Sequence, residues 1–172
     1  LGNRTPLQAA DTPNMDEVAS RGATGLAFNV PEGLPPGSDV ANLSLFGYDP
    51  ATHYGGRGPI EAANLGVEVP PGWTVFRCNL VSTDGKTMLD YSSGHIGQEE
   101  AGRLIDALQM SLGDDETVFR QGKSYRNLML VKGDFSRLQC TPPHDITGEP
   151  LKKHLPEGEG AQRILDLMER SR

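Results

Sequence analysis

Apolar residues recur at the three- and four-residue spacing of a helix in three stretches of the chain. The longest predicted helix covers residues 98–112 and is followed by Gly113, a residue type that commonly ends helices. Residues 161–170 predict a second amphipathic helix, and residues 12–22 predict a shorter one. The positions expected to face inward in these helices are Met15, Val18 and Ala19; Ala101, Leu104, Ile105, Leu108 and Leu112; and Ala161, Ile164, Leu165 and Met168.

Alternating or continuously apolar segments predict β-strands between the helices. A strand over residues 24–30 leads into a loop rich in Pro and Gly and then into a helix that starts near Ser38. This order is typical of a doubly wound α/β sheet. Further along, two hairpins are predicted on either side of the 98–112 helix. Their strands are residues 74–82 paired with 87–91 across the turn 83–86, and residues 116–120 paired with 125–132 around Gly122 and Lys123.

These elements predict a mixed α/β and α+β architecture in three segments. We expect residues 1–71 to form part of an α/β core, including a short helix near residues 61–65. The change of pattern at Pro70-Pro71-Gly72 marks the start of an inserted α+β domain over residues 72–152, in which an antiparallel sheet packs on helices. Residues 153–172 then form a linker and a helix, which the family resemblance described below would return to the core.

Composition and charge exclude several classes of protein. The chain has 172 residues, a net charge of −7 and no run of Lys or Arg, which argues against nucleic acid as a partner. No apolar run approaches the roughly 20 residues of a membrane span, and no signal-peptide pattern opens the chain. The two cysteines, Cys78 and Cys140, are expected to be buried free thiols in a reducing, cytoplasmic environment.

A stiff Pro-Pro-Gly turn places Ser38 and Asp39 at the predicted start of a helix. Both residue types commonly serve as helix N-caps, and that is one interpretation. The other is that Ser38 is a nucleophile, because the first turn of a helix offers free N–H groups and a positive dipole end that would stabilise a phosphorylated serine. A serine hydroxyl still needs activation by a base or a metal, and the neighbouring residues show neither.

Further candidates are cations in an acidic chain and one His–Asp pair. Arg57 follows two glycines in a predicted flexible turn, Arg77 lies within an apolar strand, and Arg126 starts another. Each could bind a phosphate or carboxylate, or could form an ordinary salt bridge or a solvated loop contact. His144 and Asp145 follow two prolines and could act as acid, base or hydrogen-bond partner, or as turn residues only.

Several motifs together resemble a known enzyme family. The stretch from Gly37 to Pro50 resembles the nucleophile loop of the archaeal-type cofactor-independent phosphoglycerate mutases, which belong to the alkaline phosphatase superfamily. The subgroup it resembles most is often labelled a proposed homoserine kinase. The other matching motifs span nearly the whole chain and are residues 5–10, 12–16, 56–62, 76–80, 144–148 and 155–160.

The resemblance implies a phosphatase-like α/β core, a capping domain that closes over the site, and a phosphoserine intermediate at Ser38. It also implies two divalent metal ions (Mn, Mg or Zn), no 2,3-bisphosphoglycerate cofactor, and a small phosphorylated substrate in the cytoplasm. Ser38 would be the metal ligand that this chain contributes. Arg57, Arg77 and Arg126 would grip the phosphate and carboxylate, and His144 and Asp145 would bind or deprotonate the glycerate hydroxyl.

The chain departs from the family pattern in two ways. Asn42 stands where many relatives have a His, and family members are roughly twice as long, with most metal ligands outside the part that matches. We therefore expect an internal fragment that is inactive without the missing parts of its parent chain. Two alternatives stay open: a homoserine kinase or other phosphotransferase of the same superfamily, although no Walker motif is present, and a folding or binding module without catalysis.

Overall fold

The computed structural model of this protein describes residues 2–172; Leu1, the first residue of the predicted segment 1–71, lies outside that range. The chain divides into two compact units, the first ending at Tyr54 and the second spanning Gly55–Arg172. The predicted boundary after residue 71 falls inside the second unit. It stays a prediction about the organisation of a longer protein.

The described part of the first unit contains only helices. Thr5 caps the first of them through a reciprocal pair of hydrogen bonds with Gln8, and Val40 in the third helix is completely buried. Asp39 accepts a hydrogen bond from the hydroxyl of Tyr54. The four helices are α1 (Pro6–Ala9), α2 (Pro13–Arg21), α3 (Ser38–Leu45) and α4 (Pro50–His53).

Two predictions for the first unit are wrong, and for the same physical reason. Residues 24–30 do not form a strand, and Leu26 and Phe28 are 97% and 100% exposed. Helix α2 forms as predicted, but Met15 and Val18 on its expected inner face are exposed. A strand needs a hydrogen-bonded neighbour, and an amphipathic helix needs a surface to bury its apolar stripe. Residues 2–54 supply no strand that could pair with residues 24–30.

The second unit is built on a three-stranded antiparallel sheet with the spatial order β1-β5-β4. Two small two-stranded ladders, β2-β3 and β6-β7, lie outside this sheet. The strands are β1 (Trp73–Asn79), β2 (Ser82–Thr83), β3 (Met88–Asp90), β4 (Thr117–Lys123), β5 (Arg126–Lys132), β6 (Leu138–Gln139) and β7 (Glu157–Gly158). The helices are α5 (Arg57–Asn64), α6 (Gln98–Leu112) and α7 (Ala161–Arg170).

Helices cover both faces of the sheet. The larger core lies on the side of α6 and α7 and comprises Ile105, Leu112, Phe119, Met129, Val131, Phe135, Ile164 and Leu167. The smaller core lies on the side of α5 and comprises Ala62, Val75, Leu128 and Leu130. Burial of each such side chain contributes roughly 1.5–3 kcal/mol, so the two cores hold the sheet between its helices.

The predicted bounds of α6 and α7 are confirmed. In α7 the second buried residue is Leu167, whereas Met168 is exposed, and in α6 Leu104 is also exposed. Because Ile164 and Leu167 join the larger core, α7 belongs to the α+β unit in this chain. The thiol of Cys78 packs against the same core, where burial raises its pKa to about 11. The predicted burial is wrong for Cys140, which is exposed, although both thiols are free.

The first predicted hairpin is only partly present. Its turn forms, because the Asp84 carboxylate accepts hydrogen bonds from the backbone N–H groups of Lys86 and Thr87. The long predicted strand, however, breaks after Asn79, and only Ser82–Thr83 pair with β3. Strand β1 pairs with β5 instead, which brings its apolar residues opposite the continuously buried residues of β5.

Helix α5 packs against β1 at a glycine. A Cβ atom on Gly58 would overlap the Val75 carbonyl oxygen and lie 2.8 Å from the carbonyl carbon. The helix therefore reaches the sheet only because this side chain is missing. The close approach also buries Ala62 one turn further along α5.

No helix among the described residues is long and apolar enough to cross a membrane.

We expect Gly58→Ala to destabilise the protein by roughly 1–3 kcal/mol, the usual cost of overpacking. Alanine is favoured over glycine in a helix by about 1 kcal/mol, so a loss of stability would isolate the steric conflict with β1. Urea unfolding monitored by circular dichroism measures the change. Gly55→Ala is the matched control, since its Cβ would meet nothing closer than 3.6 Å. Equal stabilities for the two variants would contradict the close approach.

Candidate active site

Ser38 is the first residue of α3, and the N-cap is Gly37. The interpretation of Ser38 or Asp39 as the capping residue is therefore wrong, because both residues lie inside the helix. The Ser38 side chain is exposed, and its hydroxyl makes no hydrogen bond to residues 2–172. Asn42 lies one helical turn further on, on the same side of α3. Ser38 thus presents a free hydroxyl at a helix N-terminus.

The other predicted site residues all belong to the second unit. Arg57 is the first residue of α5 rather than part of a flexible turn, and its N-cap is Gly56 with φ of 90°. Arg77 and Arg126 lie on the sheet face that α5 covers, since β1 residue 77 pairs with Leu128 and Arg126 pairs with Asn79. The apolar end of this face packs against Ala62, whereas its other end carries the two arginines.

Arg77 is held in an unusually cationic environment. Its side chain is 18% exposed, and its Nε lies 3.9 Å from the Glu61 carboxylate without a hydrogen bond. Burial lowers the pKa of Arg77; Glu61 opposes this effect, whereas Arg57 and Arg126 lower the pKa further. Because two further guanidinium groups lie close enough to lower the pKa of Arg77, an anionic ligand would be favoured at this place.

His144 and Asp145 lie in a short 3-10 turn, Pro143–Asp145, and His144 lies beside Arg57. Nη1 of Arg57 lies 3.4 Å from Nε2 of His144, and Asp145 Oδ1 lies 3.5 Å from the same ring nitrogen. Nε2 accepts from Arg57 when it carries no proton, and it interacts with Asp145 when it carries one. The role of Nε2 as donor or acceptor therefore depends on the tautomer of the His144 ring.

Two tyrosines link His144 to Arg126. The ring of Tyr91 meets that of His144 edge to face at 6.3 Å and that of Tyr125 at 5.7 Å. The guanidinium of Arg126 in turn lies 5.7 Å from the centre of the Tyr125 ring. We refer to Arg57, Arg77, Arg126 and His144 as the cationic cluster. The structure thus brings together the three predicted arginines, His144 and Asp145.

Sequence reasoning missed Glu61, Tyr91 and Tyr125 as members of this site. Glu61 is four residues after Arg57, so the helical period could have placed both on one side of α5. Tyr125 precedes Arg126 in the second predicted hairpin, but its contact with Tyr91 depends on long-range folding that no local pattern indicates.

Within residues 2–172 no group of three or more His, Cys, Asp or Glu side chains is placed to hold a metal ion. The exposed hydroxyl of Ser38 is compatible with the predicted role of a single metal ligand, which stays a prediction. The expected pair of divalent metal ions thus requires ligands from elsewhere.

Comparisons with known proteins identify the class. Residues 19–172 match the family model described as 2,3-bisphosphoglycerate-independent phosphoglycerate mutase. The chain belongs to this family.

Its relatives include mutases from archaea and bacteria. The chain is 50% identical over 173 residues to the 2,3-bisphosphoglycerate-independent phosphoglycerate mutase of Methanosarcina mazei, covering all of this chain and 44% of that protein. It is 52% identical over 175 residues to the probable mutase of Geobacter sulfurreducens, covering 99% of this chain and 44% of that protein. The solved cofactor-independent phosphoglycerate mutase of Thermoplasma acidophilum is similar in fold, with a TM-score of 0.56 and 27% identity over 76% of this chain and 37% of that one. The chain therefore spans less than half the length of the relatives it matches.

We expect Glu61→Gln to increase the stabilisation of this chain by inorganic phosphate. The substitution removes the carboxylate beside Arg77 and leaves the cationic cluster with more net positive charge. Without phosphate it should cost no more than about 1 kcal/mol, the usual range for a pair that is not fully buried. Thermal unfolding with and without phosphate measures the effect. Glu99→Gln, which breaks an exposed pair with Arg103, is the control. An equal phosphate response in both variants would contradict phosphate binding by the cationic cluster.

Proposed function

We propose that this chain is part of a longer phosphoglycerate mutase that interconverts 3-phosphoglycerate and 2-phosphoglycerate. The observation that carries the proposal is the cationic cluster, in which Arg77 lies close to Arg57 and Arg126, and His144 lies beside Arg57, in a chain of the mutase family. A three-carbon acid with one phosphate and one carboxylate needs such a set of donors. The proposal places the reaction in glycolysis and gluconeogenesis, in the cytoplasm.

Ser38 is the proposed nucleophile. Its Oγ forms a bond to phosphorus as the bond between phosphorus and the C3 oxygen of 3-phosphoglycerate breaks. The Ser38 proton leaves to a base, and the C3 oxygen gains a proton. The same exchange in reverse at the C2 oxygen yields 2-phosphoglycerate and restores Ser38. The N-terminal end of α3 stabilises the phosphoserine by its dipole and free N–H groups.

The cationic cluster holds glycerate while the phosphate is on Ser38. Arg77 and Arg126 each have a buried Nε with no hydrogen-bond partner, and both can donate to the carboxylate. Arg57 can bind the phosphate or carboxylate of the incoming substrate. An imidazole can act as a general acid or base, so His144 is the proposed group that exchanges a proton with the glycerate hydroxyl, with Asp145 as its partner.

A pair of divalent metal ions, when bound, would activate the serine hydroxyl and stabilise charge on the transferred phosphoryl group. Ser38 is the ligand that this chain would contribute, and the remaining ligands would come from other parts of the longer protein. The proposed metals are manganese, magnesium or zinc, without 2,3-bisphosphoglycerate. The mutase names of the relatives support this reaction over the kinase alternative.

We expect Ser38→Ala to lower kcat by at least about 1,000-fold in the full-length protein, because no other group can replace a covalent nucleophile. The assay follows conversion of 3-phosphoglycerate with Mn²⁺, and mass spectrometry of the quenched enzyme locates the phosphoserine. Ser44→Ala, near the other end of α3, is the control. Phosphorylation of another residue would exclude Ser38 as the nucleophile. Turnover of homoserine with ATP, and none of phosphoglycerate, would favour the kinase hypothesis over the mutase.

We expect Arg77→Met to lower kcat/KM for 3-phosphoglycerate by roughly 10- to 150-fold, the range of a lost charged hydrogen bond. Methionine retains much of the aliphatic stem, so the sheet should still form. Arg103→Met serves for comparison, because Arg103 is an exposed residue on α6. Unchanged kcat/KM for Arg77→Met would show that this face of the sheet is not part of the active site.

A further inference from the structure

Asn79 occupies the corner of the sheet at which the cationic cluster ends. It is the last residue of β1, lies on the same sheet face as Arg77, and stands directly opposite Arg126 in the antiparallel pair. Side chains opposite one another in such a pair have Cβ atoms about 4.5–5.5 Å apart. Asn79 and Arg126 are therefore immediate neighbours.

The polar atoms at this corner lack partners. Asn79 Oδ1, Arg77 Nε and Arg126 Nε are all shielded from solvent, and none makes a hydrogen bond within residues 2–172. Buried polar side-chain atoms in folded proteins are nearly always hydrogen-bonded, because an unpaired one costs roughly 1–3 kcal/mol. Three such atoms on one corner of a sheet indicate a place for a polar ligand.

The neighbouring strand provides a contrast in the same residue type. Asn127 in β5 is also buried, but it faces the opposite side of the sheet and its amide is fully used. It accepts from the N–H of Gly122 at 2.9 Å and donates to the carbonyl of Ser124 at 3.2 Å. The hydrogen bonds of Asn127 therefore stabilise the fold. Oδ1 of Asn79 is equally shielded from solvent but has no hydrogen-bond partner within residues 2–172.

The chemistry of the cluster shows what it lacks. Arginine only donates hydrogen bonds, so Arg57, Arg77 and Arg126 can bind the phosphate and carboxylate but cannot accept from a hydroxyl. The carboxylates of Glu61 and Asp145 are acceptors, but they lie beside Arg77 and His144 and carry charge that would repel an anion. The ring nitrogen of His144 can also accept, but it is the group proposed for the proton exchange. The amide oxygen of Asn79 is a neutral acceptor that takes no part in that exchange.

We propose that Asn79 recognises the free hydroxyl of the three-carbon acid held by the cationic cluster. The inference rests on the proposed mutase function and adds a specificity residue to it. The hydroxyl donates to Asn79 while its neighbouring carboxylate accepts from Arg77 and Arg126. An acid that lacks the hydroxyl leaves the buried amide unpaired and binds less tightly.

The test compares two ligands that differ by one hydroxyl. Calorimetry on the full-length protein measures the affinities of 3-phosphoglycerate and of 3-(phosphonooxy)propanoate, the same molecule without its 2-hydroxyl. We expect the protein to prefer 3-phosphoglycerate by about 3- to 10-fold, the equivalent of one neutral hydrogen bond. Asn79→Leu, which keeps the shape of the side chain and removes its polar atoms, should reduce this preference to about one and lower kcat/KM for 3-phosphoglycerate.

Two further variants separate recognition from folding. Asn79→Asp keeps an acceptor oxygen, so it should retain the preference while weakening both anions alike; it also decides the question if Asn79→Leu does not fold. Asn127→Leu should lower the melting temperature by breaking two hydrogen bonds and leave the preference intact. Asn79→Leu should not lower the melting temperature.

Conversion of phosphoglycerate with an unchanged preference in Asn79→Leu, or a lost preference in Asn79→Asp, would overturn the role of Asn79 and leave the mutase function in place. Failure of the unaltered full-length protein to bind or convert phosphoglycerate would overturn both.

Discussion

The antiparallel pairing of β1 with β5 is the constraint on which the candidate site depends. It sets Val75 against Leu130 and Arg77 against Leu128, so that one face of the sheet changes from apolar to cationic along its length. Helix α5 follows the same division, because Ala62 packs on the apolar part and Glu61 lies beside Arg77. The close approach at Gly58 brings the helix to the sheet. A one-residue slip in the register of this pair would set the arginines and the apolar residues of the partner strand on opposite faces.

Local sequence patterns predicted the second unit better than the first. Helices α6 and α7 each carry a strong apolar stripe, and the core that they cover is present in this chain. The strand expected at residues 24–30 has the right composition, but its formation depends on a neighbouring strand that residues 2–54 do not contain. The contrast shows that a strand pattern predicts an element only where a partner for its hydrogen bonds is available.

The candidate site illustrates the same limit at the level of side chains. Arg57, Arg77, Arg126 and His144 could be named from residue type and family resemblance, and the structure brings them together. The partner of β1 was predicted wrongly, since the neighbouring hairpin competes with the distant strand β5 and local pattern favours the shorter connection. As a result Tyr91 and Tyr125, which link His144 to Arg126, could not be predicted, because their contact is a product of the long-range pairing.

The cationic cluster belongs to a chain whose net charge is −7. At physiological ionic strength the field of a charge fades over about 8 Å, so a ligand senses only the part of the surface that it approaches closely. A three-carbon anion is small enough to interact with the arginines alone. A much longer anion would extend over many carboxylates at the same time and be repelled by them. The acidic remainder of the chain is thus expected to repel a large anion more strongly than a small one, before any hydrogen bond to the ligand has formed.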